Sequence, residues 1–264
     1  MRSIGARSIG ICASGLPDWS RASRVLTDVD AFQPDSSFYR AASGLPLTES
    51  RRINETSRLA CLAAHDALVS LPESAIATMP AIFTSSDGDG AVLSQMLRSL
   101  AQRDVSVSPT AFHNSVYNAP AGYYSIATRS TAPSTTVCAD ESSFAAAMLE
   151  GYAQARLTAG PVLVVAVDVP FPEPIQALGL SDAAFACAIV LDGASGDTKP
   201  ACIARWAIVD CNASMRSTDP LSKAFGNNAA AAALPLLRAL ARGEPACISL
   251  PYLDSTWLEL EVIP

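Results

Sequence analysis

Short apolar runs and longer stretches with helical spacing alternate along this chain, most plainly over Pro133–Val167. Ser134–Cys138 is rich in Thr and Val and predicts a strand. Asp140, Glu141, Ser142 and Ser143 are helix-start residues and predict a sharp elbow. From Phe144 to Leu157, Ala, Met, Leu and Tyr recur at helical spacing, and Ala159-Gly160-Pro161 ends the helix. Val162–Val167 is a continuous apolar run, as expected of a strand covered on both faces. Strand, helix and strand in that order predict a right-handed βαβ unit.

The same reading extends to the rest of the chain. Ile9–Ala13 predicts a first strand, and the Pro-, Ser- and Asp-rich Gly15–Pro46 a surface excursion with a short helix near Ser20–Val25. Thr48–Leu71 predicts one long helix with Ile53, Ser57, Ala60, Ala63, Ala64, Ala67 and Leu71 on its inner face. Ala81–Ser85 is a strand, Ser86–Gly90 a loop, and Ala91 to Gln102 a helix. Pro109–Thr128 contains a further helix around Tyr117–Ala127. Beyond the prolines at 170, 172 and 174, Ala183–Leu191, Cys202–Val209, Cys247–Leu250 and Trp257–Ile263 are expected strands. Ala229–Ala241 is expected to be an Ala-rich helix broken near Pro235. The alternation gives an α/β class with a mainly buried sheet flanked by helices.

Half of the 264 residues are hydrophobic and 16% are charged, which implies extensive burial or a large subunit interface. A net charge of −7 without a basic stripe argues against nucleic acid as a partner. No apolar run is long enough to span a membrane. The opening MRSIGARSIGICASG lacks the apolar core of a signal peptide and reads as the lead into the first strand. Seven cysteines without CxxC spacing fit reduced thiols and a cytoplasmic protein.

Several residues invite chemistry and also have plainer readings. Asp87-Gly88-Asp89-Gly90 lacks the further ligands of a calcium loop and reads as a tight strand-to-helix turn. His65 falls within a helix and His113 just before one, and no histidine follows, so a histidine pair from the second half of the chain is excluded. Cys138 falls at the apolar end of its strand and is expected to be a buried, inert thiol. Ser142 and Ser143 are expected to cap the helix, and no base is evident to activate them. Asp140 and Glu141 suit the positive end of a helix. No metal or cofactor is expected.

Ser108-Pro109, Asn118, Ala121-Gly122 and Pro133-Ser134 stand at the spacing of the β-ketoacyl-acyl carrier protein synthase family, and over Pro109–Val167 the sequence resembles that family without gaps. The family's Ala-Cys-x-Ser elbow falls on Asp140-Glu141-Ser142-Ser143, so Glu141 occupies the place of the nucleophilic cysteine. The Arg51–Leu71 helix, the Phe83–Gly90 loop and the Ala183–Leu191 strand look like the family's corresponding elements, extending the likeness to residues 48–195. Phe225-Gly226 faintly resembles the family's C-terminal Phe-Gly turn.

The resemblance implies a truncated thiolase-like fold, a mixed central sheet flanked by helices. Residues 1–195 would form the N-terminal half of the ketosynthase fold and 196–264 a reduced C-terminal portion, within a single domain. It is similar to short chain-length-factor-like proteins of aryl polyene and related pigment pathways. That implies no catalytic residue, a full-length β-ketoacyl-ACP synthase as heterodimer partner, and acyl carrier protein as an indirect one. The family's interface strand maps to Thr135, Thr136, Val137 and Cys138. Its loop toward the partner's acyl tunnel maps to Thr110, Ala111 and Phe112, with His113 adjacent. Phe112 reads either as a tunnel-shaping side chain or as ordinary core. Two rival functions stand beside this one: an acyl-thioester hydrolase or decarboxylase using Glu141, Ser142 or Cys138, and a structural homodimer that binds carrier protein.

Overall fold

The computed structural model describes residues 3–35, 44–102, 108–178, 181, 183–193, 202–210, 220–253 and 256–263. In chain order these form β1 (Ile4–Ala13), α1 (Trp19–Leu26), α2 (Leu47–Ser50), α3 (Glu55–Leu68), α4 (Glu73–Thr78), β2 (Ala81–Thr84), α5 (Gly90–Ala101), α6 (Pro109–Asn114), α7 (Ala119–Thr128) and β3 (Ser134–Val137). A 3-10 turn at Asp140–Ser142 leads into α8 (Ser143–Thr158), followed by β4 (Pro161–Asp168), β5 (Phe185–Asp192), β6 (Cys202–Asp210), α9 (Pro220–Ala224), α10 (Leu234–Arg242), β7 (Ala246–Tyr252) and β8 (Thr256–Ile263). Short 3-10 segments occupy Ile175–Leu178 and Ala230–Ala233.

The strands form one mixed eight-stranded sheet in the order β3-β2-β4-β5-β1-β6-β8-β7. β2 runs parallel to both β3 and β4, and every other pairing is antiparallel. The helical crossover from β3 to β4 therefore spans β2, which lies between them. The apolar run of β4 is covered on both faces, as expected: Val162, Val164 and Ala166 enter one core, Leu163, Val165 and Val167 the other. On the second face α3 and α7 cover the sheet; on the first lie α1, α8 and α10. The sheet curls around α8 far enough that the edge strand β7 touches both α8 and the turn before it.

Two glycines show how closely the covering helices approach. A Cβ on Gly10 of β1 would lie 2.1 Å from the Ala63 carbonyl oxygen of α3. One on Gly151 of α8 would lie 2.5 Å from Val164 Cγ2 of β4. Small residues at both seams let the helices press on the sheet, and the inner face predicted for α3 is the buried one, with Ser57, Ala60, Ala63 and Ala64 fully enclosed.

Two expectations need correction. The Thr48–Leu71 helix is two helices, because Asn54 accepts from Ser57 N at 3.0 Å and restarts the chain, and Asn114 Nδ2 donates to Arg52 O at 2.7 Å across the break. The helix expected around Tyr117–Ala127 begins at Ala119, with Pro120 in its first turn, after the separate short helix α6. The break expected near Pro235 is present, the 3-10 segment Ala230–Ala233 ending where α10 begins, but the proline stands in the first turn of α10 and so forfeits no helical hydrogen bond. Phe38, Tyr39 and Cys211 lie outside the described residues, as does the side chain of Cys202.

Candidate functional site

Because β2, β3 and β4 are parallel, their C-terminal ends gather at one end of the sheet, where α/β sheets place ligand sites. Each end delivers polar groups there: Ser85 and Ser86 after β2, Cys138 after β3, and Asp168 closing β4. Asp168 is buried, with 2% of its surface exposed. Its Oδ1 accepts from Ser85 Oγ and Ser86 N, both at 2.8 Å, and its Oδ2 accepts from Ala230 N at 3.0 Å. Burial pushes its carboxyl up to about 6, against the lowering effect of the Ser85 and Ser86 hydrogen bonds, and the neighbouring Asp87 adds to the rise.

Asn228, also buried, closes the floor of this cluster. Its Nδ2 donates to Asp168 O at 3.0 Å and Ala183 O at 2.7 Å, and its Oδ1 accepts from Ala231 N at 3.1 Å. Phe225 anchors the same turn between the rings of Phe185 and Phe32, centroids 5.3 and 6.0 Å away. The Asp87–Gly90 loop is the tight turn that was expected. Asp89 caps α5 by accepting from Val92 N at 3.0 Å, and it accepts from the Thr56 hydroxyl at 3.1 Å.

The elbow is sharp, as predicted. Asp140 takes a left-handed φ of 53°, and Ser143 Oγ holds the bend by donating to Asp140 O at 2.6 Å and accepting from Ala139 N at 3.0 Å. Ser142 Oγ accepts from Leu253 N at 3.1 Å, tying the elbow to the β7–β8 turn. Neither serine side chain caps α8, which corrects the sequence reading: both are taken up by backbone groups of the elbow and of the hairpin beside it. Glu141 is exposed on the 3-10 turn.

Cys138 is likewise not a buried thiol. It stands one residue past the end of β3, exposed, and its Sγ donates to Ser86 O at 3.3 Å. Tyr117 lies beside it, with burial first and then Cys138, Asp87 and Asp168 holding its phenol above the usual tyrosine range. The Tyr117 ring also roofs Gly88, where a Cβ would meet it at 3.4 Å.

The remaining predicted positions divide into two groups. Thr135, Thr136 and Val137 lie half-buried on β3, whose outer edge is unpaired among the described strands. In α6, Ala111 is buried while Thr110 and His113 are exposed, and the His113 ring stands edge-on to Tyr123 at 5.8 Å. Phe112 is 63% exposed, so it is not core. It has apolar company: Val116 and Tyr117 beyond it, and Leu93, Leu97 and Leu100 on α5, which packs on α6. Asp168, Ser85, Ser86 and Asn228 belong to no motif that singles them out in the sequence. Their one local signal is a carboxylate ending an otherwise unbroken apolar strand.

A model described as the β-ketoacyl synthase N-terminal domain matches residues 18–257. The chain belongs to that family. A comparison with curated proteins found no match. Among solved structures, the fold is similar to that of the ketosynthase ApeO in complex with its chain length factor ApeC from Xenorhabdus doucetiae, with TM-score 0.71, 22% identity, and 99% of this chain and 100% of that chain covered. It is also similar to a type II PKS acyl-carrier protein in complex with its ketosynthase bound to the hexaketide, with TM-score 0.73, 12% identity, and 100% and 99% coverage. The ishigamide ketosynthase/chain length factor gives TM-score 0.69 at 12% identity, with 99% and 100% covered. At these identities the likeness is one of fold, and the mixed sheet flanked by helices is the thiolase-like ketosynthase architecture. Among the described residues no helix is long and apolar enough to cross a membrane.

Proposed function

We propose that this chain is a non-catalytic, chain-length-factor-like subunit that pairs with a full-length β-ketoacyl-ACP synthase and shapes its acyl tunnel. The observation that carries this reading is the face next to the elbow. There the edge of β3, unpaired among the described strands, leads through Cys138 and Tyr117 to an apolar surface made by Leu93, Leu97 and Leu100 of α5, Phe112 of α6, and Val116 and Tyr117 between α6 and α7, all exposed among the described residues. An uncovered strand edge and an apolar patch of this kind are features a partner buries. Glu141 stands where the family resemblance places the nucleophilic cysteine. A carboxylate cannot replace a thiolate in condensation, and the chain's two histidines, His65 and His113, are exposed on α3 and α6.

On this reading Phe112, with Thr110, Ala111 and His113, reaches toward the partner's acyl tunnel, and Thr135–Cys138 lies at the subunit interface. The products would be polyene or fatty-acid-type chains, of the aryl polyene kind, made in the cytoplasm, with acyl carrier protein contacting the complex through the synthase. Residues 196–264 then form a reduced C-terminal portion of the one domain, of which β7 and the 3-10 segment Ala230–Ala233 pack on α8. Co-expression with a full-length synthase from the same gene neighbourhood is expected to give a stable one-to-one complex, and the isolated chain to give no condensation product. Condensation by the chain alone would overturn the reading; an unaltered homodimer in the presence of the synthase would favour the structural alternative. The exposed Cys138 beside Tyr117 keeps the thioester-hydrolase alternative testable: a Cys138→Ser variant of the isolated chain that lost a measurable thioesterase activity would establish it.

A further inference from the structure

Ser86 sits between two carboxyl groups. Its Oγ is 2.8 Å from Asp87 Oδ2 and 3.0 Å from Asp168 Oδ1, yet a hydroxyl carries one proton. Both contacts are hydrogen bonds only if one carboxyl brings a proton of its own. The buried acid is the place for it. Ser85 Oγ accepts from Gly88 N at 2.9 Å and donates to Asp168 Oδ1, and Ser86 N donates to the same oxygen. A protonated Oδ1 that receives these two bonds and donates to Ser86 Oγ is fully used. Ser86 Oγ then donates outward to Asp87, which is half-buried at the rim. The neutral acid lies inside and the charge lies at the wet end, the arrangement of lower desolvation cost.

We propose that Asp168, Ser86 and Asp87 form a one-proton clasp that fastens the Asn228–Ala230 turn to the ends of β2 and β4 and couples a proton to partner binding over Tyr117 and Cys138. The coupling rests on the reading of that face as the synthase contact; the clasp does not. The clasp joins segments far apart in sequence, since Ala230 N and Ser86 N both bind Asp168, 62 and 82 residues away. The titratable groups facing it are Asp87 from the β2–α5 loop, Tyr117 from between α6 and α7, and Cys138 from the end of β3. Asp89 of the same loop is turned to Thr56 and the α5 N-terminus.

The direction of the pH effect follows from the folded-state value of about 6 for Asp168 against an ordinary 3.8. The folded state holds this proton more tightly than the unfolded chain, so the contribution to stability grows as pH falls through 6 and levels off near 3.8. A partner that covers Tyr117 and Cys138 removes water from the rim, strengthens proton retention, and binds with net proton uptake.

The test uses the isolated chain first. Between pH 8 and 5 the folded-to-unfolded ratio from urea titration is expected to rise about tenfold from this group. Asp87→Asn, which removes the charge that helps hold the proton, should move the rise to lower pH. Carboxyl-carbon NMR of the wild type reads Asp168 directly and does not depend on a variant folding. An Asp168 signal that titrates in the ordinary carboxylate range, or a pH slope untouched by Asp87→Asn, overturns the clasp. In the complex, affinity for the co-expressed synthase should be tighter at pH 6 than at pH 8, less so for Asp87→Asn. A complex with pH-independent affinity overturns the coupling alone, and absence of any complex overturns the partner reading while the titration of the isolated chain still decides the clasp.

Discussion

Helices α3 and α5 carry the same kind of apolar stripe and meet opposite fates. The α3 stripe is built of small residues, Ala60, Ala63, Ala64 and Ala67, and is sealed against β1, β4 and β5. The α5 stripe is built of leucines, at 93, 97 and 100, and lies open. Small residues mark a seam closed within the chain, where backbones nearly touch. Large exposed residues at helical spacing mark a face that contributes little to this chain's own stability and offers much apolar area to another.

The contrast breaks first at the α3 seam. Gly10→Val puts a branched side chain where even a Cβ overlaps the Ala63 carbonyl, and the backbone on both sides cannot yield. Loss of more than about 3 kcal/mol is expected, seen as a chain that does not fold cooperatively on urea titration. Ala63→Leu, a milder overpacking of the same seam, is expected to cost about 1–3 kcal/mol. If Gly10→Val folded with wild-type stability, the packing of α3 on β1 described above would be wrong.

At the open stripe the expectation is reversed. Leu97→Ser, or Leu93→Ser together with Leu97→Ser, should cost the isolated chain only about 1 kcal/mol per site, because each leucine is already about half exposed. The same changes should weaken a complex with the synthase by about thirtyfold, the effect of losing about 2 kcal/mol at a central apolar contact. Isothermal titration with purified synthase reads the second number. A stability loss comparable to that at the α3 seam would show that α5 is covered by its own chain.

Helix α3 and strand β4 were legible in the sequence because their burial is periodic and local. Alanines recur on one helical face, and an unbroken apolar run fills a strand covered on both sides. The elbow was legible too, since acids and serines after a Thr-Val run do not continue a strand. Cys138 was misread for the same local reason: the alternation runs through it, but the chain leaves the sheet after Val137, and the thiol turns out to the Ser86 carbonyl. The polar cluster had almost no local signal. Asp168 is one acid after seven strand residues, and its partners Ser86 and Ala230 come from segments on either side of it in sequence that only the closed sheet brings together. Leu93, Leu97 and Leu100 likewise stand at helical spacing in the sequence, but spacing is silent on whether this chain or another covers them.

Phe112 gives the smallest effect on the chain and the most specific one on function. With 63% of its surface exposed, it has little burial to lose, so Phe112→Ala should change the stability of the isolated protein by no more than about 0.5 kcal/mol. In the complex the same side chain would meet the end of an acyl tunnel, where pocket length is set by the bulk that closes it. Phe112→Ala should then lengthen the products of the paired synthase, and Phe112→Trp should shorten them, with total turnover changed less than the product distribution. Mass spectrometry of carrier-protein-bound chains reads this directly. A distribution unmoved by both variants would take Phe112 out of the tunnel and leave it as one more apolar contact of the α5–α6 face. Unchanged stability separates that outcome from a general loss of fold.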